Sequence, residues 1–195
     1  MEEAYRQELS DCIKVVLFGP ECTGKTILAK QLAAHYQTLW VPEYSRLYAE
    51  EKAANNQELT RTDVLAIARG QMALENKLAK QVKKLLICDT DLLETKVYSA
   101  NYYNGYVPKI LDKFAIENQY DLYFLTNIDI PWEADGIRDK PNEREGMFKA
   151  FQKALIENKR PYVLLEGNKK ERLEVAVKHI DELMKSKDDI YRKGY

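Results

Sequence analysis

The sequence predicts an α/β fold: a three-layer sandwich in which a five-stranded parallel sheet lies between two layers of helices. Three observations lead there. Apolar runs of strand length alternate five times with helix-length segments, the pattern of a parallel sheet covered on both faces. The first of these runs ends in a glycine-bounded loop, G-P-E-C-T-G-K-T at residues 19–26, that opens directly into a helix. Most of the polar residues with chemical potential also follow a strand, at the edge where such sheets bind ligands.

Residues 1–11 are polar and acidic and read as a short helix or frayed tail, not as a signal peptide. Ile13 to Phe18, broken only by Lys14, is the first strand. The helix after the loop runs to about Gln37, with Leu28, Leu32, Ala33 and Tyr36 at helical spacing. Thr38 to Val41 is a short second strand stopped by Pro42, and Glu43 to Lys52 is helical until Asn55-Asn56. Thr62-Asp63 offers a cap for a long helix over 63–84. Leu85 to Cys88 is the third strand and ends in Asp89-Thr90-Asp91. A helix from Leu92 to Tyr103 is ended by Asn104-Gly105, and Pro108 starts another to about Asn118. Asp121 to Asn127 is the fourth strand, residues 131–146 a polar mobile loop, 145–158 a helix, Tyr162 to Glu166 the fifth strand and 170–186 a closing helix. The charged tail from Lys187 is expected to fray. No repeat or linker interrupts this order. The expectation is one domain over 1–195 with its core at about 13–185.

Composition narrows the classes. With 45% hydrophobic and 31% charged residues the chain is an ordinary globular one. A formal net charge of −1 provides no basic field for nucleic acid or anionic lipid. No apolar run approaches the roughly 18 residues of a membrane helix. Cys12, Cys22 and Cys88 lack metal-type spacing and suggest a reducing, cytoplasmic setting.

The loop fits the phosphate-binding pattern GxxxxGK[ST], the P-loop, and its strand–loop–helix context is the one that pattern requires. Gly19, Pro20, Glu21, Cys22, Thr23 and Gly24 would curl so that their amides face phosphate oxygens at the positive end of the following helix. Lys25 would reach the β- and γ-phosphates, and the Thr26 hydroxyl would sit on Mg²⁺. ATP and Mg²⁺ are the cofactors implied. Asp89 stands where a carboxylate partner for Thr26 is needed, and Asp91 is either a second site residue or a helix cap. Glu43, fixed by Pro42, is placed to orient or deprotonate an acceptor hydroxyl, or merely to favour a helix N-terminus. Arg138, hinged beside Gly136, is the preferred clamp for a transferring phosphoryl group, with Arg144 and Arg46 as alternatives. Thirteen tyrosines and two tryptophans include Trp40, Tyr44, Tyr98, Tyr102, Tyr103 and Trp132 near strand ends or in the loop, faces suited to a flat, cationic ring. Thr126-Asn127-Ile128-Asp129 imitates a guanine-binding motif, but Asn127 replaces its lysine and no DxxG follows the third strand, so a Ras-like GTPase is rejected. A short chain without a basic tract also argues against a nucleic-acid motor.

Together V-P-E-Y-S-R, I-C-D-T-D-L-L-E-T and D-I-P-W-E-A-D-G-I-R-D resemble the ribosylnicotinamide kinase domain of NadR proteins and their AAA-type relatives, over about residues 13–185. The resemblance implies a nucleoside-kinase-like fold and ATP-dependent phosphorylation of the 5′-hydroxyl of nicotinamide riboside in NAD salvage. It carries the family's P-loop onto Gly19, Gly24, Lys25 and Thr26, its E-Y-x-R onto Glu43, Tyr44 and Arg46, its D-T-D onto Asp89, Thr90 and Asp91, and its lid arginine onto Arg138. NadR proteins place a nucleotidylyltransferase domain ahead of the kinase. The chain has no room for one, so a free-standing kinase is expected. Lys25, Glu43, Asp89 and Arg138 are then the catalytic candidates. Glu43, Tyr44, Arg46, Asp91, Tyr98, Tyr102 and Trp132 are the acceptor-binding ones, and Thr26 and Asp89 the metal ligands. A kinase of another nucleoside or nucleotide, a regulatory ATP-binding module and a homo-oligomer all stay open.

Overall fold

Six buried residues, Ile13–Phe18, form the central strand β1, as expected for a strand covered on both faces. The computed structural model describes residues 2–130 and 144–193. After β1 come α1 (Lys25–His35), β2 (Leu39–Val41), α2 (Tyr44–Ala54), α3 (Val64–Ala79), β3 (Leu85–Asp89), α4 (Leu92–Tyr102), α5 (Lys109–Glu117), β4 (Leu122–Thr126), α6 (Arg144–Glu157), β5 (Tyr162–Leu165) and α7 (Lys169–Lys193). A 3-10 turn at Glu2–Tyr5 precedes them. The five strands pair in parallel in the order β2-β3-β1-β4-β5, which is the predicted fold class.

The period of two along each strand divides the core. Ile13, Val15 and Leu17 face Leu28 and Leu32 of α1 and Ala176 and Ile180 of α7. Val16 and Phe18 face the other layer, with Met72 of α3, Leu92 of α4, Phe114 of α5 and Phe151 of α6. Lys14, the one charge in β1, also points to that layer. Its ammonium meets Glu75 of α3 at 3.0 Å. Glu75 also accepts from the Gln7 amide at 2.8 Å and the Tyr120 hydroxyl at 2.7 Å. Both charges are buried, and a buried pair is tolerated when the remaining lone pairs are satisfied in this way.

The N-terminal stretch is docked on the fold as far as Glu8. The Gln7 and Glu8 amides donate to the side chains of Asn118 and Asn76, and Tyr5 is buried against Phe114. These bonds join residues far apart in sequence, so local polarity could not reveal them. The C-terminal tail is likewise helical through Lys193, and Lys187 pairs with Asp121 at 3.1 Å. No Gly or Pro interrupts residues 169–193. The third long helix stops at Ala79 instead of 84, because the chain needs residues 80–84 to turn into β3. Arg144, assigned to the loop alone, opens α6, and Glu145 and Gly146, where the loop and helix assignments overlap, lie in its first turn. The rest of the expected mobile loop, 131–143, lies outside the described residues.

Asp63 joins α2 to α3. Its carboxylate accepts from the Lys52 ammonium at 2.6 Å, the Thr60 amide at 2.8 Å and the Tyr48 hydroxyl at 3.2 Å. Burial opposes its charge, but these donors outweigh it and hold its pKa at about 2. The folded pKa lies below the unfolded value of about 3.9, so the stabilisation is present above about pH 4 and is lost as pH falls toward 2. Asp63→Asn is expected to cost about 1–2 kcal/mol at pH 7 in urea unfolding. The gap from wild type should narrow by pH 3. A gap constant from pH 5 to pH 3 would contradict the ionised assignment.

Candidate active site

The parallel register sets Leu17 of β1 beside Asp89 of β3, so the P-loop and the third-strand carboxylate leave the sheet side by side. The loop turns through positive φ at Gly19 (139°), Cys22 (59°) and Gly24 (85°). A Cβ at Gly19 would lie 2.7 Å from the Thr126 hydroxyl, so the first glycine is required by contact as well as by backbone. Thr23 donates to the Pro20 carbonyl at 2.8 Å, and its hydroxyl lies 2.6 Å from that of Thr126. Behind the loop, buried Arg172 of α7 donates to the carbonyls of Thr23 (2.7 Å), Gly167 (2.9 Å) and Asn127 (3.1 Å) and pairs with Asp129. It ties the loops after β1, β4 and β5 together. The sequence reading missed it, since one arginine in the first turn of an amphipathic helix has no distinguishing signal.

One ammonium stands in the field of three carboxylates. Lys25 donates to the carbonyls of Gly19 at 2.6 Å and Pro20 at 3.0 Å, and lies 3.2 Å from Glu94 of α4. Burial works against its charge, but Glu94, Glu43 and Asp89 outweigh this and raise its pKa. Glu94, fully buried, accepts the Gly19 amide at 3.2 Å. It too went unread in the sequence. The signal available was its position three residues after the capping Asp91, facing the same loop.

Asp89 completes the group. Its Oδ2 takes the Thr26 hydroxyl at 2.6 Å, and its Oδ1 is buried without a hydrogen-bond partner among the described residues. Burial and then the nearby Glu43 push its pKa up to about 6, against Lys25 and Thr26. A hydroxyl and an orphaned carboxylate oxygen at the end of a phosphate loop fit Mg²⁺, which takes few protein ligands beside a nucleotide. Among the described residues no cluster of three or more His, Cys, Asp or Glu could hold a metal without such a partner.

The acceptor-side candidates divide. Glu43 precedes α2, holds the Ser45 hydroxyl at 2.6 Å without capping the helix, and acts electrostatically on Lys25, Asp89 and Glu94. Arg46 pairs with Glu50 at 3.7 Å and acts on Asp89. Tyr98 stands over Phe151, and Tyr102 donates to Glu21 of the P-loop at 3.3 Å. Two candidates have partners elsewhere in the fold. Asp91 caps α4 through the Glu94 amide at 2.9 Å and accepts the Tyr123 hydroxyl at 2.7 Å. Both its oxygens are engaged and it is buried, so it builds the scaffold instead of touching an acceptor. Tyr44 lays its ring on Gly70 of α3, where a Cβ would come within 2.0 Å of it, and lines a groove with Tyr48 and Arg69. Thr90, between the two aspartates, takes φ 79°, which turns Asp89 to Thr26 and Asp91 to its cap. Arg138 and Trp132 lie outside the described residues. Arg144 donates to the carbonyls of Ile130 at 2.9 Å and Cys22 at 3.5 Å, at the rim of the loop.

Fold and site define a P-loop α/β protein. The chain belongs to the AAA domain family, whose model matches residues 14–172. The trifunctional NAD biosynthesis/regulator protein NadR of Salmonella typhimurium is 29% identical over 144 residues, 73% of this chain and 34% of that protein. The chain thus spans about a third of the length of this curated relative. A NadR structure in complex with NR matches with a TM-score of 0.73 at 21% identity, over 89% of this chain and 51% of that one. Thymidylate kinase from Ehrlichia chaffeensis matches with a TM-score of 0.59 at 18% identity, over 85% and 97%. Among the described residues no helix is long and apolar enough to cross a membrane.

Lys25 is folded back onto its own loop and must leave Glu94 to meet a phosphate. Glu94→Gln is therefore expected to tighten binding of magnesium-free ADP roughly three- to tenfold in a fluorescence titration. Weaker binding would mean that Glu94 frames the loop instead of competing with the phosphate.

Proposed function

We propose that the protein is an ATP-dependent kinase that transfers the γ-phosphoryl group to the 5′-hydroxyl of a nucleoside, nicotinamide riboside in the first instance, in the cytoplasm. The observation that carries this reading is the grouping of Lys25, Thr26 and Asp89 at the phosphate loop, with the Glu43 carboxylate acting on Lys25 and Asp89. The similarity to NadR over most of the chain supports the acceptor.

In this reading the amides of residues 19–26 and the Lys25 ammonium hold the β- and γ-phosphates. Thr26 and Asp89 would hold Mg²⁺, which supplies charge neutralisation between the phosphates. Glu43 accepts the proton of the acceptor hydroxyl as the new O5′–P bond forms and the bond from the γ-phosphorus to the bridging oxygen breaks. The products are the nucleoside 5′-monophosphate and ADP. Arg144, at the P-loop rim, is a described arginine available as a second cation beside Lys25, and Arg138 is the candidate from the remaining segment. Arg46, Tyr98 and Tyr102 face the acceptor.

The reading is tested with purified protein, Mg-ATP and a panel of ribosides, deoxyribosides and nucleoside monophosphates, following phosphorylated product by mass. Nicotinamide riboside is expected to be phosphorylated best. ATP hydrolysis indifferent to every acceptor would instead favour a regulatory ATP-binding module. Lys25→Ala should abolish transfer while circular dichroism stays unchanged. Glu43→Gln should lower kcat roughly 10²–10⁴-fold. A loss under tenfold would reduce Glu43 to a positioning role.

A further inference from the structure

Two neutral polar atoms, Gln71 Nε2 and Tyr98 Oη, take no part in the phosphoryl-transfer steps above. Gln71 of α3 is 1% exposed. Its Oε1 accepts the Tyr44 amide at 2.8 Å, the first peptide after Glu43. That bond orients the side chain: the oxygen must face the peptide N–H, so Nε2, which can only donate, is turned away from it. Nε2 is buried and has no partner among the described residues. Tyr98 lies four residues after Glu94 on α4, so the two share a helix face. Its ring is held edge-on by Phe151 at 5.1 Å and Tyr102 at 5.9 Å. Its hydroxyl oxygen is buried and likewise unpartnered among the described residues. Glu94 and Glu43 are the carboxylates that act on it most strongly.

Buried polar atoms without partners are rare, and each calls for a reason. Here one belongs to the side chain that holds the peptide after Glu43, and the other shares the α4 face of Glu94, which meets Lys25. An amide N–H₂ donates only, whereas a phenol both donates and accepts. Neither carries charge, so the pair suits hydroxyl groups and not a phosphate. We propose that Gln71 Nε2 and Tyr98 Oη bind the secondary hydroxyls of the acceptor's pentose and give the enzyme its preference for a riboside over the 2′-deoxyriboside. The inference rests on the nucleoside-kinase reading. A site built to hydrogen-bond a substrate hydroxyl rejects the analogue lacking it, because its own buried groups are then left unpaired.

The test uses the full chain, Mg-ATP, the riboside that the wild type phosphorylates best and its 2′-deoxy analogue. Tyr98→Phe should raise the riboside KM about five- to tenfold, leave the ATP KM unchanged and lower the riboside/deoxyriboside ratio of kcat/KM by a similar factor. Its Tm should stay level or rise, since the deleted hydroxyl has no partner in the protein. Gln71→Glu keeps an acceptor for the Tyr44 amide while removing the donor, and should show the same kinetic pattern. If that variant does not fold, Tyr98→Phe decides alone. An unchanged riboside KM and ratio, or an ATP KM that rises in step, overturns the proposal. A wild type that phosphorylates no nucleoside overturns the kinase reading first and this inference with it, an outcome distinct from an active wild type with indifferent variants.

Discussion

The site depends on a charge imbalance: one ammonium, Lys25, among the carboxylates of Glu43, Asp89 and Glu94. In a buried setting such an excess of negative charge is costly, and each carboxylate answers it differently. Glu94 takes the lysine and the Gly19 amide. Asp89 takes the Thr26 hydroxyl and leaves one oxygen without a partner among the described residues. Glu43 takes the Ser45 hydroxyl and remains half-buried. In the kinase reading proposed above, a site so arranged would gain from a divalent cation and from an acceptor with a proton to give. The same imbalance keeps Lys25 charged, the state that a triphosphate requires.

The scaffold is built to hold those groups at one edge. Parallel pairing of β1 with β3 puts Leu17 level with Asp89, and the Thr90 backbone then separates the two aspartates into different tasks. Arg172 fastens the loops after β1, β4 and β5 from behind, through one carbonyl of each. Farther off, the Lys14–Glu75 pair with Gln7 and Tyr120 fixes α3 against the sheet and draws in the N-terminal stretch. Since α3 also carries Gln71, that remote network helps set the position of the amide that anchors the start of α2.

Much of this was legible in the residue order. The strands were found within a residue or two because each is a short apolar run closed by a turn. The P-loop was found because its glycines and Lys-Thr pair are consecutive. Asp89 and Glu43 stand out in the residue order because each follows a strand directly. Asp91 was placed in the site on the same reasoning, yet its oxygens are taken by the Glu94 amide and by Tyr123, thirty-two positions away. Tyr44 is visible as an aromatic after the second strand, but that its ring lies on Gly70 of another helix is not. Glu94, Gln71 and Arg172 were invisible because each sits in an amphipathic helix and becomes distinctive only through partners on other elements.

The sequence by itself determined the alternation of strands and helices, the phosphate loop and the two carboxylates after strands two and three. All of these are written in neighbouring residues and in spacing, which local backbone physics can read. The tertiary structure alone decided the strand order, the docking of the N-terminal stretch, the lysine's counter-ion and which polar groups at the site are left without a partner. Those follow from contacts across tens of residues. Whether a buried group is satisfied depends on what the fold brings to it, and chain order does not record that.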